Sequence, residues 1–220
     1  MEKKFLQILH NSTKRNFIER MQNNKVKCMK EAKKYAKNYW DGDRKFGYGG
    51  YKYIPGRWKK LAFQLIKTYH LNNNSNILDI GCGKGFLLKE INLINPSIKI
   101  HGFDISKYAI KHSPPEIKNK LFTHDIRKKT YFKDGYFDLV ICSGVMHNLE
   151  INELKFSINE INRISKGNQY ILVESYKNNQ ELFNLQCWAL TCNSFFSKRE
   201  WEWIFLEFGY KGDYEFIYFK

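Results

Sequence analysis

Apolar residues recur along this chain at two different periods, and each period predicts a type of element. Over residues 14–40 and again over 58–69 they recur at three- and four-residue steps, which is typical of amphipathic helices. The second stripe has lysines beside it and comprises Trp58, Leu61, Ala62, Leu65, Ile66 and Tyr69. The pattern therefore predicts two helices in the first part of the chain, and the second ends before a turn at NNNSN, residues 72–76.

From residue 76 onward, short apolar runs alternate with helical patterns. The runs that we predict as strands are 76–80, 98–103, 121–123, 136–142, 169–174 and 214–219. One of the helical patterns begins at a capping box formed by Ser197 and Glu200. Strands that alternate with helices form parallel sheets whose faces the helices cover. We therefore predict an α/β fold, a three-layer sandwich around a mostly parallel sheet.

The segment between the two N-terminal helices fits neither period. Its sequence, DGDRKFGYGGYKYIPGRW at residues 41–58, contains five glycines, which are too many for a helix interior. It also contains more aromatic rings and arginines than an ordinary linker. Such a segment either binds a ligand or forms a glycine-rich turn whose aromatic rings fill the core.

Composition is that of a folded domain. The 220 residues suffice for one sizeable core, and 43% of them are apolar. No apolar run approaches the roughly 18 residues that span a bilayer, and MEKKFLQILH has too short an apolar stretch for a signal peptide. The five cysteines form no CxxC pair, so we predict no metal site. We expect a soluble cytoplasmic protein without a membrane span.

The formal net charge of +15 suggests a nucleic-acid partner. However, the chain holds 30 lysines and only seven arginines, and it is also rich in asparagine and isoleucine. These residues share A/T-rich codons, so base composition by itself can raise the lysine count. The charge is also dispersed, because no block of five or more like charges occurs. We therefore favour a small-molecule substrate and keep nucleic acid as the alternative.

Three glycines separate a predicted strand from a predicted helix in ILDIGCGKGFLL, residues 77–88. Gly81, Gly83 and Gly85 permit a tight turn and let backbone N–H groups approach a ligand, and the helix N-terminus adds a partial positive charge. Asp104 lies nineteen residues after Gly85, at the end of the next predicted strand. A carboxylate there can accept hydrogen bonds from both ribose hydroxyls of a nucleoside. The loop therefore predicts a nucleoside-containing cofactor.

The acid in front of this loop narrows the choice of cofactor. The third glycine comes one residue too early for the dinucleotide pattern GxGxxG, and the sequence has no Walker pattern. Asp79 precedes the loop, and its carboxylate would repel a pyrophosphate but attract an ammonium group. S-adenosylmethionine (SAM) carries such a group on its amino-acid end.

At these residues the chain resembles class I SAM-dependent methyltransferases, over about residues 57–175. The first motif comprises Asp79, Gly81, Cys82, Gly83 and Gly85. The later motifs follow in order and are GFDIS with Asp104 and Ile105, THDI with Asp125 and Ile126, FDLVICSGVMHNL with Ser143, and ILVES. The resemblance implies that these residues bind SAM, that the product is S-adenosylhomocysteine, and that the sheet is of a seven-strand type with its last strand antiparallel.

The same resemblance gives residues 41–58 a role, because the N-terminal segment of this family commonly folds over the donor and acceptor as a lid. The segment is similar to that of small bacterial methyltransferases with a glycine- and tyrosine-rich lid. Its glycines would let it bend, and its closure would exclude water. We predict an N-terminal helical and lid extension at 1–56, a methyltransferase unit at 57–220, and substrate contacts from Arg44, Tyr48, Tyr51 and Arg57.

Methyl transfer from a sulfonium mainly needs proximity and alignment, but an oxygen nucleophile also needs a base. His147, after the fourth predicted strand, and Glu174, at the end of the fifth, are the candidate catalytic residues. The acceptor that we predict is a small polar, anionic metabolite methylated on oxygen or nitrogen, with sugar or surface-glycan precursors as one class. Methylation of RNA or protein, and SAM binding without catalysis, are the alternatives. Both a monomer and a homodimer fit the sequence.

Overall fold

A computed structural model describes the backbone of residues 1–220 and all side chains except that of Ile8. Six strands form one sheet in the order β3-β2-β1-β4-β5-β6. Their bounds are β1 Asn76–Ile80, β2 Lys99–Asp104, β3 Leu121–Thr123, β4 Phe137–Ser143, β5 Ser165–Ser175 and β6 Asp213–Tyr218. Every neighbouring pair is parallel, so the predicted α/β fold is confirmed.

Ten α-helices surround or precede the sheet in the described chain. Their bounds are α1 Gln7–Asn11, α2 Phe17–Gln22, α3 Lys25–Ala32, α4 Lys37–Asp41, α5 Lys59–Thr68, α6 Phe86–Ile94, α7 Lys107–Lys111, α8 Ile151–Ile164, α9 Asn179–Trp188 and α10 Lys198–Glu207. Short 3₁₀ turns cover Arg44–Phe46, Lys118–Lys120 and Met146–Asn148. The capping box of Ser197 and Glu200 starts α10, as the sequence predicts.

The two faces of the sheet carry separate apolar cores. One core packs α8 and α10 against the sheet, with Trp201 fully buried at its centre. The other core packs α5 and α6 against the opposite face, around Leu65 and Leu88. Because alternate residues of each buried strand enter opposite cores, β1 and β4 are apolar almost throughout. This arrangement is the predicted three-layer sandwich.

The last strand differs from the prediction. We expected a seven-strand type of sheet with an antiparallel final strand, but within residues 1–220 the sheet has six strands and β6 is parallel to β5. The chain leaves the carboxyl end of β5, and the segment with α9 and α10 carries it back to the opposite end of the sheet, where β6 begins. This crossover places β6 directly beside β5 and parallel to it.

The N-terminal region also differs, because the single helix predicted over residues 14–40 is divided into α2, α3 and α4. Asn24 and Tyr35 lie at the breaks and have positive φ angles of 45° and 49°. A left-handed backbone cannot continue a right-handed helix, so each break redirects the chain. The segment thereby bends across the carboxyl ends of the strands.

A buried carboxylate attaches the start of the chain to the sheet. Glu215 of β6 accepts hydrogen bonds from the backbone N–H groups of Phe5, Leu6 and Gln7 at 2.7–2.9 Å. The hydroxyl of Tyr170 on β5 donates to the same carboxylate at 2.7 Å. These contacts fix the N-terminal extension beside β6. In the described part of the chain, none of the helices has the length and apolar character needed to span a membrane.

Candidate active site

A cleft of about 500 Å³ lies at the carboxyl ends of β1, β4 and β5. This is the edge at which parallel α/β sheets generally bind ligands. The sheet side of the cleft includes Asp79, Cys82, Ser143 and Glu174. The N-terminal extension forms the other side, with Trp40, Arg44, Tyr48, Tyr51 and Arg57. The structure therefore brings the four predicted substrate-binding residues to one cavity with five of the predicted cofactor-binding residues, namely Asp79, Gly81, Cys82, Gly83 and Ser143.

The glycine loop after β1 follows a path that side chains would block. Gly81 and Gly83 have φ angles of 71° and 57°, in the left-handed region. A Cβ atom on Gly81 would lie 2.1 Å from a methyl group of Val145, and one on Gly83 would lie 2.9 Å from the ring of Trp40. Glycine at these positions is therefore required both by the backbone angle and by the close approach of neighbours.

Asp104 lies directly behind this loop and is buried. One carboxylate oxygen accepts a hydrogen bond from the backbone N–H of Gly83 at 2.8 Å, and the other accepts from Ser106 at 2.7 Å. Each oxygen keeps a further lone pair, so the carboxylate can still accept two hydroxyl groups. Burial raises the pKa of Asp104, although the two N–H bonds oppose the shift.

The indole of Trp40 covers Asp104 on the side of the cleft. Its Nε1 donates to the hydroxyl of Ser106 at 2.8 Å, and the far end of its ring approaches Gly83. Gly83 and Ser106 are the two residues that hold the Asp104 carboxylate, so the ring spans the carboxylate between them. A nucleoside that reaches Asp104 therefore meets Trp40 first.

Asp79 supplies a second buried carboxyl group to the cleft. Burial, together with the nearby charge of Asp104, raises the pKa of Asp79 to about 8. A cationic ligand would stabilise the ionised form of such a group. This donor set fits the predicted cofactor, whose ammonium and sulfonium groups are both positively charged.

The other residues predicted for the cofactor lie outside the lining of the cleft. Gly85 packs against Ile117 and Leu121 at the start of α6, and Ile126 is part of the core. Ile105 is exposed. Asp125 is paired with Arg127, whose Nη2 lies 2.7 Å from the carboxylate. The pairing holds the pKa of Asp125 below its ordinary value, although burial opposes the shift.

Aromatic rings form the wall above the glycine loop. Trp40 and Tyr48 are stacked with ring centroids 5.2 Å apart, and Tyr51 and Phe86 are stacked at 4.9 Å. The ammonium group of Lys84, which the loop buries, is 2.7 Å from the nearer carboxylate oxygen of Asp41. The glycine- and tyrosine-rich segment therefore packs on the loop through both stacking and an ion pair.

His147 and Glu174 both line the cleft and are in contact with each other. His147 Nδ1 accepts a hydrogen bond from the backbone N–H of Glu174 at 3.1 Å, and its Nε2 lies 3.6 Å from the Glu174 carboxylate. Burial lowers the pKa of His147, although Glu174 opposes the shift, so the ring is neutral near pH 7. Because Nδ1 is an acceptor, the single ring proton of the neutral form lies on Nε2, facing Glu174.

The tautomer of His147 bears on which of the two residues can accept a proton. The only free lone pair of the neutral imidazole is already bonded to a backbone N–H, so His147 has no ready site for a further proton. The carboxylate of Glu174 does have free lone pairs, and it lines the cleft. The geometry therefore favours Glu174 as proton acceptor and His147 as the residue that orients it.

Sequence reasoning did not single out Arg15, Arg20, Lys84, Trp40 and Trp188 as members of the site. All except Lys84 line the cleft, and Lys84 reaches it through Asp41 and Tyr51. One compositional signal was present: four of only seven arginines, Arg15, Arg20, Arg44 and Arg57, line this cavity. Their grouping was not visible along the chain, because it depends on α9 lying beside α2.

The chain matches a family described as "Methyltransferase domain" over residues 71–209. A malonyl-[acyl-carrier protein] O-methyltransferase of Legionella pneumophila is 36% identical over 96 residues, which are 42% of this chain and 33% of that protein. A ribosomal RNA small subunit methyltransferase C of Buchnera aphidicola (subspecies Cinara cedri) is 38% identical over 112 residues, which are 48% of this chain and 30% of that protein. The chain thus spans about a third of the length of these two relatives.

A solved structure supports the same fold. The chain aligns with a SAM-dependent methyltransferase from Aquifex aeolicus with a TM-score of 0.50 and 17% sequence identity. The alignment covers 72% of this chain and 89% of that one. At this identity the likeness concerns the fold alone.

Proposed function

Because this chain belongs to the class I SAM-dependent methyltransferases, we propose that it transfers the methyl group of SAM to an oxygen or nitrogen atom of a small anionic metabolite. The proposal separates into a donor half and an acceptor half of the cleft. SAM is the cofactor of the family, and it supplies a methyl group activated by attachment to a positively charged sulfur. The class of methyl acceptor has to be inferred from the residues that line the cleft.

The donor half consists of the glycine loop and the two buried acids. Asp79 would hold the ammonium group. Burial and the charge of Asp104 raise the pKa of Asp79 to about 8, and a bound cation would favour its ionised form. Asp104 would hold the ribose, because each of its oxygens keeps a free lone pair. Gly83 joins the loop to Asp104 through its backbone N–H, and the left-handed φ angles of Gly81 and Gly83 suit only glycine.

One observation supports an anionic methyl acceptor. Arg15, Arg20, Arg44 and Arg57 line the cleft, and within the described residues none of them forms an ion pair with a carboxylate. Arginines outside the cleft behave differently, since Arg127 and Arg163 each pair with two acidic side chains. Unpaired guanidinium groups in a cavity are suited to bind an anionic ligand through paired hydrogen bonds. A sugar or surface-glycan precursor that carries an anionic group is one acceptor that fits.

The chemistry that we propose needs one proton acceptor. If the acceptor atom is a hydroxyl oxygen, Glu174 takes its proton while the oxygen forms a bond to the methyl carbon. The carbon–sulfur bond breaks at the same time, and its electron pair leaves with the sulfur. His147, neutral and with its proton on Nε2, keeps the Glu174 side chain in place. Closure of the aromatic wall over the loop would exclude water from the transfer.

Methylation of RNA or protein is the second candidate, favoured by the net charge of +15. The experiment that decides between the two uses SAM with a labelled methyl group and a cell extract divided into small-molecule, RNA and protein fractions. We expect label in a small molecule that binds an anion-exchange resin. Label that is recovered in the RNA or protein fraction, and that is released by nuclease or protease, would contradict the proposal.

A further inference from the structure

Three guanidinium groups surround one tryptophan ring in the cleft. The Cζ atoms of Arg15, Arg20 and Arg44 lie 5.4, 4.8 and 5.1 Å from the ring centroid of Trp188. The three arginines belong to separate segments: the loop before α2, α2 itself, and the 3₁₀ turn after α4. Tertiary folding therefore gathers like charges around the end of α9. We call these four residues the arginine site.

Backbone carbonyls, rather than carboxylates, hold the arginines in position. Arg20 donates to the carbonyl oxygens of Arg44 at 2.6 Å and Trp188 at 3.3 Å. Arg15 donates to the carbonyl oxygens of residues 10 and 13 at 3.1 and 3.0 Å, and Arg44 donates to that of residue 47. Carbonyl groups fix the orientation of a guanidinium group, but they do not neutralise its charge. The arginine site is thus ordered and positively charged.

Burial alters the ionisation of these arginines. Burial and the charge of Arg44 lower the pKa of Arg20 to about 10, and they also lower that of Arg15, although the carboxylate of Glu174 opposes the shift of Arg15. Outside the cleft, hydrogen bonds that Arg127 and Arg163 donate to acidic side chains raise the pKa of these two arginines. In addition, Arg15 Nε is buried without a hydrogen-bond partner among the described residues. An anionic ligand would supply negative charge to the arginine site and a hydrogen-bond acceptor for Arg15 Nε.

The C-terminus of α9 explains only part of the arrangement. Lys25 donates to the carbonyl oxygens of Cys187 and Ala189, and Arg20 donates to that of Trp188, as cations at a helix C-terminus do. Arg15 and Arg44 have no hydrogen bond to these carbonyls, although their guanidinium groups lie against the same ring. Arg15 and Arg44 are therefore held by carbonyl groups of their own segments, and the end of α9 does not account for their position against the ring.

The number of charges indicates the class of ligand. One carboxylate neutralises one guanidinium group, whereas a phosphate monoester carries close to two negative charges and a diphosphate at least two. Phosphate oxygens also match the paired donors of several arginines at once. We propose that Arg15, Arg20 and Arg44 bind a phosphate or diphosphate group of the methyl acceptor, which is then a phosphorylated or diphosphate-linked small molecule. This inference rests on the proposed function, in which an anionic acceptor occupies the cleft.

The test measures binding of inorganic pyrophosphate, inorganic phosphate and citrate to the full chain saturated with S-adenosylhomocysteine. We expect pyrophosphate to bind more tightly than citrate, although citrate has three carboxylates. Arg15→Gln and Arg44→Gln should each weaken pyrophosphate binding by about 10- to 100-fold, the usual effect of losing hydrogen bonds between charged groups. Arg44 is the safer variant, because its side-chain hydrogen bond lies within its own turn. Arg199→Gln, on the exposed side of α10, is the matched control and should leave binding unchanged.

Each contrary result has a distinct meaning. If S-adenosylhomocysteine binds but pyrophosphate does not, or if the arginine variants bind pyrophosphate as the wild type does, the inference is wrong and the proposed function stands. Tighter binding of citrate would assign the site to a carboxylate acceptor and overturn the phosphate class. Tighter binding of a short single-stranded RNA, lost in the same variants, would overturn the small-molecule acceptor. A chain that binds no S-adenosylhomocysteine would overturn both proposals.

Discussion

Lys84 of the glycine loop and Asp41 of the N-terminal extension form an ion pair, with the lysine Nζ 2.8 and 2.7 Å from the two carboxylate oxygens. Lys84 is only 5% exposed, so its charge depends on this partner. The same ammonium group donates to the carbonyl oxygen of Tyr51, and the hydroxyl of Tyr108 donates to Asp41. This one pair therefore connects the cofactor loop with the aromatic segment above it.

We predict that Asp41→Asn lowers the free energy of unfolding by about 2 kcal/mol or more, because it leaves a buried ammonium group without its counter-charge. Hydrogen exchange of the backbone in residues 41–53 should accelerate as well. Asp43→Asn is the matched control, since Asp43 pairs with Lys45 at the surface and an asparagine can still cap the turn. Equal effects of the two substitutions in denaturant unfolding would contradict the prediction.

The contribution of Asp41 to stability should depend on pH. Burial alone would raise its pKa, but hydrogen bonds from Lys84 and Tyr108 outweigh burial and hold the pKa below its ordinary value. A carboxyl group with a lowered folded-state pKa stabilises the fold above its unfolded-state pKa of about 4, and this stabilisation is lost as the pH falls through the folded-state value. The stability difference between wild type and Asp41→Asn should therefore be constant above about pH 5 and shrink in acid. Unfolding curves of both proteins, measured from neutral pH into acid, check whether the stability difference shrinks as the pH falls.

Asp79 should show the opposite pH dependence. Its folded-state pKa of about 8 lies above the unfolded-state value of about 3.9, so its ionisation destabilises the protein increasingly as the pH rises between these values. Asp79→Asn should therefore raise the melting temperature of the ligand-free protein at pH 8 and weaken binding of S-adenosylhomocysteine. A melting temperature that stays unchanged or falls would argue against an uncompensated charge at this position.

Ligand binding should also release a proton from Asp79. At pH 7 its carboxyl group is largely protonated in the free protein, and a bound ammonium group would favour the ionised form. Affinity for S-adenosylhomocysteine should therefore fall as the pH decreases below 8. Calorimetry in buffers with different ionisation enthalpies measures the released proton directly, and the Asp79→Asn variant should release less.

Asp104→Ala should weaken binding of S-adenosylhomocysteine by about 1.5–3 kcal/mol, the usual contribution of hydrogen bonds to a charged group. The substitution also frees the N–H groups of Gly83 and Ser106, so the thermal stability of the variant has to be measured beside its affinity. Asp134→Ala is the control, because Asp134 is an exposed carboxylate that pairs with Arg163 and was not predicted to bind the cofactor. Unchanged affinity in Asp104→Ala would remove Asp104 from the proposed cofactor site.

If the acceptor atom is a hydroxyl oxygen, Glu174→Gln should lower kcat by roughly 10²–10⁴-fold while affinity for S-adenosylhomocysteine stays nearly constant. His147→Gln should have a smaller effect, because His147 orients the carboxylate without accepting the proton. A larger loss in His147→Gln than in Glu174→Gln would assign the base to His147 instead.

Features that depend on neighbours along the chain could be predicted from the amino-acid sequence. The alternation of apolar periods was sufficient for the α/β layers, because the periods follow from the geometry of strands and helices. The turn from β1 through Gly81 and Gly83 into α6, and Asp104 at the end of β2, could also be predicted, since a strand, a glycine turn and a helix are contiguous. The capping box at Ser197 belongs to the same class of local signals.

The set of distant residues that share the cleft depends on how the chain folds. Arg20 and Trp188 are 168 positions apart, and Lys84 and Asp41 are 43 apart, so no local pattern records either contact. The direction of β6 likewise depends on how α9 and α10 return the chain to the sheet. The breaks at Asn24 and Tyr35 have the same origin, because packing, rather than apolar periodicity, sets a left-handed backbone angle. Local spacing thus specified the glycine loop and Asp104, whereas the arginines that line the cleft came together through folding.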